Sequence, residues 1–202
     1  MKHRTLESAI PRFLADPGIE SPVVMADLSD HDHEVLSAVR EGDTEAFGKL
    51  VYRYESFVYT LVLGIVRSEE AAKDIAQETF LRAYRGIRRF ELRSSFKTWL
   101  YRIAHNTSMS HLKREGLNGI CDERKDEEPA IDSAGNHYLR LTLEKLIGKL
   151  KPEHRSVIIF HYYDDLKYEE IAEILDCPIG TVKIRLYRAK HELKKLWAKY
   201  AV

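Results

Sequence analysis

The run YEEIAEILDCPIGTVKIRLYRAK, from Tyr168 to Lys190, constrains this chain more than any other segment. Ile171, Ile174 and Leu175 share one face of a first helical stretch, and Val182, Leu186, Ala189 and Leu193 share one face of a second. Asp176, Cys177 and Pro178 break the chain between them. Two apolar stripes so close together bury each other. That is the helix-turn-helix arrangement, in which the outer face of the second helix enters the DNA major groove. Here the outer face carries Lys183, Ile184, Tyr187 and Arg188. Lys and Arg bond guanine edges, while Ile184 and Tyr187 can pack on a thymine methyl or a sugar. Thr181, Arg185 and Lys190 are better placed for phosphates. A plain helical hairpin with a basic solvent face would show the same stripes. Lys167 stands where Ser or Thr would cap the first helix better, so that end is predicted to fray.

Net charge is +0, which on its face argues against a nucleic-acid binder. Its distribution argues otherwise. From Arg82 to Arg114 the chain is basic apart from Glu91, and from Glu115 to Asp132 it is acidic apart from Arg124 and Lys125. Basic character returns between Lys183 and Lys199, broken only by Glu192. Two basic blocks around an acidic connector point to two DNA-contacting surfaces, because clustered cations displace counterions from phosphates. Solvated helix faces are the plainer reading of the same charges.

The pattern is helical from about Asp30 to Arg114, with Phe47, Leu50, Val51 and Tyr54, then Phe57, Val58, Leu61, Val62 and Ile65, at helix spacing. Asp43 and Ser68 are placed to cap helix starts. Pro152 sits where a first helical turn tolerates it. Strand-like alternation is absent, so the expected fold is all-α: two small helical domains joined by a flexible acidic linker. The boundaries read as a loose extension over 1–26, a first domain over 27–114, a linker over 115–136 and a second domain over 137–202. Met25 is an alternative start.

Two segments of the first domain carry unusual faces. In DIAQETFLRAY, Ala72, Ile75, Ala76, Thr79 and Ala83 can face a core, while Asp74, Gln77, Glu78, Leu81 and Arg82 share the opposite stripe. Such a mixed stripe can bind another helix, although ordinary surface helices also look like this. In SSFKTWLYRIAHNT and the residues after it, Trp99, Arg102, Asn106, Ser110 and Lys113 fall along one stripe. An aromatic ring, an amide and cations on one face suit unstacked bases and phosphates. Phe90 and the Arg93-Ser94-Ser95 loop lie just upstream, where they could help hold a base out of a duplex. A half-buried core position is the commoner fate of a tryptophan, and both roles can hold for Trp99.

Several classes are set aside. No apolar run approaches the roughly 18 or more residues of a membrane span, and no leader-like segment opens the chain, so no membrane insertion and a cytoplasmic location are expected. Cys121 and Cys177 form neither a disulfide framework nor a metal motif. His31 and His33 flank Asp32 without a second ligand pair, and no phosphate loop or nucleophile motif occurs. Neither catalysis, metal nor cofactor is expected. The rival binding class is an ordinary helix-turn-helix repressor or activator, which would bind duplex DNA tightly by itself.

Together these motifs resemble the extracytoplasmic-function group of sigma factors, in the family of the main bacterial sigma. DIAQETFLRAY, FKTWLYRIAHNT and YEEIAEILDCPIGTVKIRLYRAK occur in that family's order and spacing, and the resemblance covers about residues 30–114 and 137–199. It implies a non-catalytic subunit that directs RNA polymerase to promoters, in a stress or envelope response. By the same resemblance Asp74, Gln77, Glu78 and Arg82 meet the clamp helices of the largest polymerase subunit. Phe90, Arg93, Ser95, Phe96, Trp99, Arg102, Asn106 and Lys113 lie around the melted −10 element. Lys183, Ile184, Tyr187 and Arg188 read the −35 element, with His161, Thr181 and Arg185 nearby and the second domain on the flap of the second subunit. An anti-sigma partner is implied too, able to hold the factor at the membrane until it joins the nucleoid in holoenzyme. Ile184 replaces a small polar residue common in the family, and the N-terminal extension has no family counterpart.

Overall fold

The computed structural model describes residues 29–91, 94–116 and 135–200, and every regular element among them is helical. In the N-terminal part, α1 (Ser29–Glu41), α2 (Thr44–Val66), α3 (Glu69–Gly86), a 3₁₀ turn (Ile87–Arg89) and α4 (Phe96–Arg114) enclose one core. The helix starts are capped by side chains. Asp43 accepts from the backbone N–H of Glu45 and Ala46 at 2.9 and 3.1 Å, Ser68 from Ala71 at 3.3 Å, and Ser95 from Thr98 at 3.0 Å. Each bond satisfies a donor that a helix leaves orphaned in its first turn. Leu50, Val58, Val62 and Ile65 of α2 are fully buried against Ala72 and Ala83 of α3 and Leu100 and Ala104 of α4. The Tyr54 hydroxyl donates to Asp32 at 2.5 Å, and Arg53 pairs with the same carboxylate, which staples α1 to α2. Burial and that carboxylate push the Tyr54 phenol above its ordinary range.

The C-terminal part comprises α5 (Gly135–Gly148), α6 (Pro152–Ile158) running into a π turn (Ile159–Tyr163), α7 (Tyr168–Leu175) and α8 (Ile179–Tyr200). Pro152 occupies the first turn of α6, where its missing N–H costs nothing. The fraying expected at Lys167 is corrected here. The Glu170 carboxylate accepts from the Lys167 backbone N–H at 2.9 Å, so the start of α7 is held by an acid one turn in rather than by the cap side chain. Asp176 takes the left-handed conformation (φ 50) and turns the chain from α7 towards α8. Ile171 and Ile174 then close on Val182, Leu186 and Ala189.

An acidic linker suggested two separate bodies, yet the two parts pack on each other. The end of α2 lies against α6, and α4 lies along α7. Arg155 of α6 is only 3% exposed and donates to the carbonyls of Ile65 at 2.9 Å and Leu150 at 3.0 Å. The Tyr101 hydroxyl of α4 donates to Asp164 at 3.3 Å, and Arg102 lies 3.1 Å from Asp176. The rings of Tyr101 and His105 sit 6.3 and 5.8 Å from that of Phe160. Residues 117–134, most of the expected linker, and the expected extension over 1–26 lie outside the described residues.

Asp164 gives this contact a pH signature. Its Oδ2 is buried without a hydrogen-bond partner, although the residue as a whole is half-buried. Burial raises the carboxyl to about 6, against the opposing pull of Lys97 and the Tyr101 hydroxyl on α4. A carboxyl with a raised folded-state pKa holds its proton more tightly when folded. Its contribution is therefore fullest in acid and is lost as the pH climbs from the ordinary carboxylate range through about 6. Nearby His105 works the other way: burial lowers it to about 4, Asn106 opposes and Arg185 of α8 adds to the fall. Its neutral ring contributes above its ordinary value, and that contribution is lost as the pH falls towards about 4. Asp164→Asn removes only the first effect. It is expected to stabilise the chain by about 1–2 kcal/mol at neutral pH in thermal unfolding, the gap to the parent closing in acid. A gap independent of pH would mean that Asp164 does not titrate across this range.

Candidate nucleic-acid and partner interfaces

The outer face of α8 is built by the burial of the inner one. With Val182, Leu186, Ala189 and Leu193 in the core, helix geometry turns Lys183, Ile184, Tyr187 and Arg188 to solvent. Ile184 is 54% exposed and Tyr187 72% exposed, unusual for large apolar side chains unless a surface awaits them. Thr181 and Arg185 are half-buried at the margin. Two tyrosines that the sequence reading did not single out support the flanks. Lys183 Nζ lies 5.9 Å from the Tyr168 ring centre and Lys190 Nζ 5.3 Å from that of Tyr162. His161 stands between the same rings, at 4.8 Å from Tyr162 and 5.1 Å from Tyr168, with Nδ1 3.3 Å from the Leu166 carbonyl. It is part of an aromatic patch that steadies the lysines.

On α4 the structure divides the sequence-derived residues in two. Phe90 and Phe96 are 4% and 3% exposed, and both belong to the core. They form the wall behind Trp99, whose half-buried ring stacks on Phe90 at 4.8 Å and meets Phe96 at 5.8 Å. Gly86 leaves room for the indole, since a Cβ there would come within 3.3 Å of it. Asn106, Ser110 and Lys113 are exposed further along the helix, and Arg102 is drawn to Asp176. Ser95 is committed to capping α4, and Arg93 lies outside the described residues.

On α3, Asp74, Gln77, Leu81 and Arg82 are exposed. Glu78 accepts from Arg82 Nε at 2.7 Å, a pair one turn apart that holds the Glu78 carboxyl below its ordinary range. Beside this stripe lies an open groove of about 780 Å³ between α2 and α3. Phe47, Val51, Tyr59, Ala76, Phe80 and Tyr84 line it, with Gln77, Lys73 and Glu55 among its polar residues. From the sequence, Phe47 and Val51 showed only helix spacing. The exposed Leu81 and Tyr84 were the available signal that this side stays open. Among the described residues no group of three or more His, Cys, Asp or Glu is placed to hold a metal, and no helix is long and apolar enough to cross a membrane.

A helix-turn-helix with a basic reading face, joined to a helical bundle with an aromatic-basic stripe, defines a two-part DNA-binding protein. Its sequence matches the patterns described as Sigma-70 region 2 over residues 50–117 and Sigma-70, region 4 over residues 140–193. It is 33% identical to the RNA polymerase sigma-H factor of Pseudomonas aeruginosa, over 82% of this chain and 93% of that one. It is 36% identical to the ECF RNA polymerase sigma-E factor of Escherichia coli, over 80% and 92%. Among solved structures it resembles the sigma factor RpoE of Bartonella quintana, crystallised with the anti-sigma factor NepR. That likeness has a TM-score of 0.60 and 27% identity over 77% of this chain and 98% of that one. The chain belongs to the extracytoplasmic-function group of the sigma-70 family. It is a non-catalytic subunit that binds core RNA polymerase and directs it to specific promoters for initiation.

Proposed function

We propose that this sigma factor docks on the clamp helices of the largest polymerase subunit through Asp74, Gln77, Glu78 and Arg82, and reads two promoter elements with separate helices. In this reading residues 27–114 bind the core enzyme and the melted −10 element through Trp99, Arg102, Asn106 and Lys113. Phe90, Ser95 and Phe96 set the shape of that surface. Residues 137–202 sit on the flap of the second subunit and read the −35 element through Lys183, Ile184, Tyr187 and Arg188, with His161, Thr181 and Arg185 towards the backbone. Residues 115–136 join them.

One observation carries this reading: the acid-amide-aliphatic stripe of α3 borders an open apolar groove. A helix laid there would bury Leu81 and Tyr84 while its polar side met Asp74 and Gln77. An anti-sigma protein would compete for the same groove, as fits the Bartonella relative's capture with one. Such an inhibitor keeps the factor in the cytoplasm, or at the membrane if it is itself anchored there, until an envelope or other stress releases it.

Asp74→Ala with Gln77→Ala tests the docking face. Both residues are exposed, so the thermal midpoint is expected to stay unchanged. Two lost polar contacts at about 1 kcal/mol each predict roughly ten- to thirtyfold weaker binding to purified core polymerase. Unchanged affinity would place the clamp elsewhere.

A further inference from the structure

We infer that the chain carries its own occupant for the groove between α2 and α3: the segment from Leu6 to Asp16 docks there in the free factor and withholds the groove from polymerase. The withholding rests on the docking reading above. The occupancy does not.

The groove is built to receive an apolar segment. Phe47, Val51 and Tyr59 recur down one side of α2, and Ala76, Phe80 and Tyr84 down the facing side of α3, so two helical stripes leave a trough of about 780 Å³ between them. Leu81 and Tyr84 stand at its edge, each 44% exposed, and together they mark a surface with a partner. Glu55 and Lys73 are exposed beside them and have no ion-pair partner among the described residues.

An occupant needs large apolar residues at helical spacing and charges of both signs. The stretch LESAIPRFLAD, ahead of α1, has both. Leu6, Ile10, Phe13 and Leu14 fall on one side of a helical path. Pro11 suits the first position of a turn and not the middle of a long helix, so the anchor is short: Ile10, Phe13 and Leu14, with Leu6 outlying. Glu7, Arg12 and Asp16 flank these residues and offer partners to Lys73 and Glu55. The stretch over 117–134 fits less well, because its apolar residues Leu117, Ile120 and Ile131 are scattered among acids.

The segment is also within reach. Asp32, near the start of α1, accepts from the Tyr54 hydroxyl and pairs with Arg53. The chain therefore enters α1 beside the turns of α2 that present Val51 and Glu55 to the groove. The path round α2 is about the width of one helix, 10–12 Å, and the fourteen residues between Leu14 and Ser29 span up to about 45 Å. Such a tether gives an effective concentration of about 1 mM, so a segment affinity of only about 0.1 mM fills the groove about nine-tenths of the time.

Two measurements on the full-length chain test this. With a photoreactive benzoyl-phenylalanine in place of Phe13, irradiation is expected to give cross-links within one chain to α2 between Phe47 and Tyr59 and to α3 between Lys73 and Tyr84. Cross-links to other helices, or between two chains, would overturn the occupancy. Because apparent affinity falls with the fraction of competent protein, Phe13→Asp with Leu14→Asp, and a chain beginning at Met25, are each expected to bind purified core polymerase about tenfold more tightly than the parent. Val23→Asp with Val24→Asp, which changes charge equally but lies outside the anchor, should bind as the parent does. Unchanged affinity in the first two variants would overturn the withholding. Asp74→Ala with Gln77→Ala in the chain beginning at Met25 keeps the two readings apart. Weakened core binding there leaves the docking face standing even if the segment does not compete for it.

Discussion

Replacing Lys183 and Arg188 together by alanine is expected to reduce run-off transcription from this factor's promoters by roughly a hundredfold, because each good bidentate contact to a base edge is worth about 1–3 kcal/mol. Both side chains point outward from α8, and its apolar stripe holds the helix without them, so folding and affinity for core polymerase should not change. The loss should therefore appear as a missing upstream footprint with an intact holoenzyme. Between them stand Ile184 and Tyr187, which offer apolar contact where a small polar residue would offer a hydrogen bond. On the proposed reading, the bases opposite Ile184 would be read through a thymine methyl rather than a donor-acceptor pair. Lys190 and Arg185, at the edges, should by contrast weaken binding to all sequences alike when truncated. Promoter choice and footprint identical to the parent's in the double variant would place the recognition helix elsewhere.

The sequence carried much of this because helices announce their buried faces by period. Asp43, Ser68 and Pro152 mark their helix starts, and the stripe from Val182 to Leu193 identifies the inner face of α8. Period does not say what a face is buried against. The groove beside α3 combines side chains from two helices, Phe47 to Tyr59 and Lys73 to Tyr84, and its openness is a tertiary fact that neither helix records alone. Phe90 and Phe96 illustrate the converse. Aromatic residues beside a basic stripe look like base contacts until packing shows them as the wall behind Trp99. The cap at Lys167 was misread because the group that closes it, the Glu170 carboxylate, lies one turn inside the helix.

The packing of the two parts on each other was hidden for a further reason. Arg155 sits in PEHRSVI, where a cation reads as surface, yet it is buried. Arg155→Ala is expected to cost about 3–5 kcal/mol, since it strands carbonyls at Ile65 and Leu150 at about 1–3 kcal/mol each and leaves a cavity. For a chain of this length that corresponds to a fall of about 6–20 °C in the thermal midpoint. Arg155→Lys keeps the charge, but a single ammonium cannot reproduce a planar fork aimed at two carbonyls, one in the last turn of α2 and one in the turn between α5 and α6, so it should recover less than half of the loss. Full recovery by Arg155→Lys would show that charge alone, and not the fork, satisfies the two carbonyls.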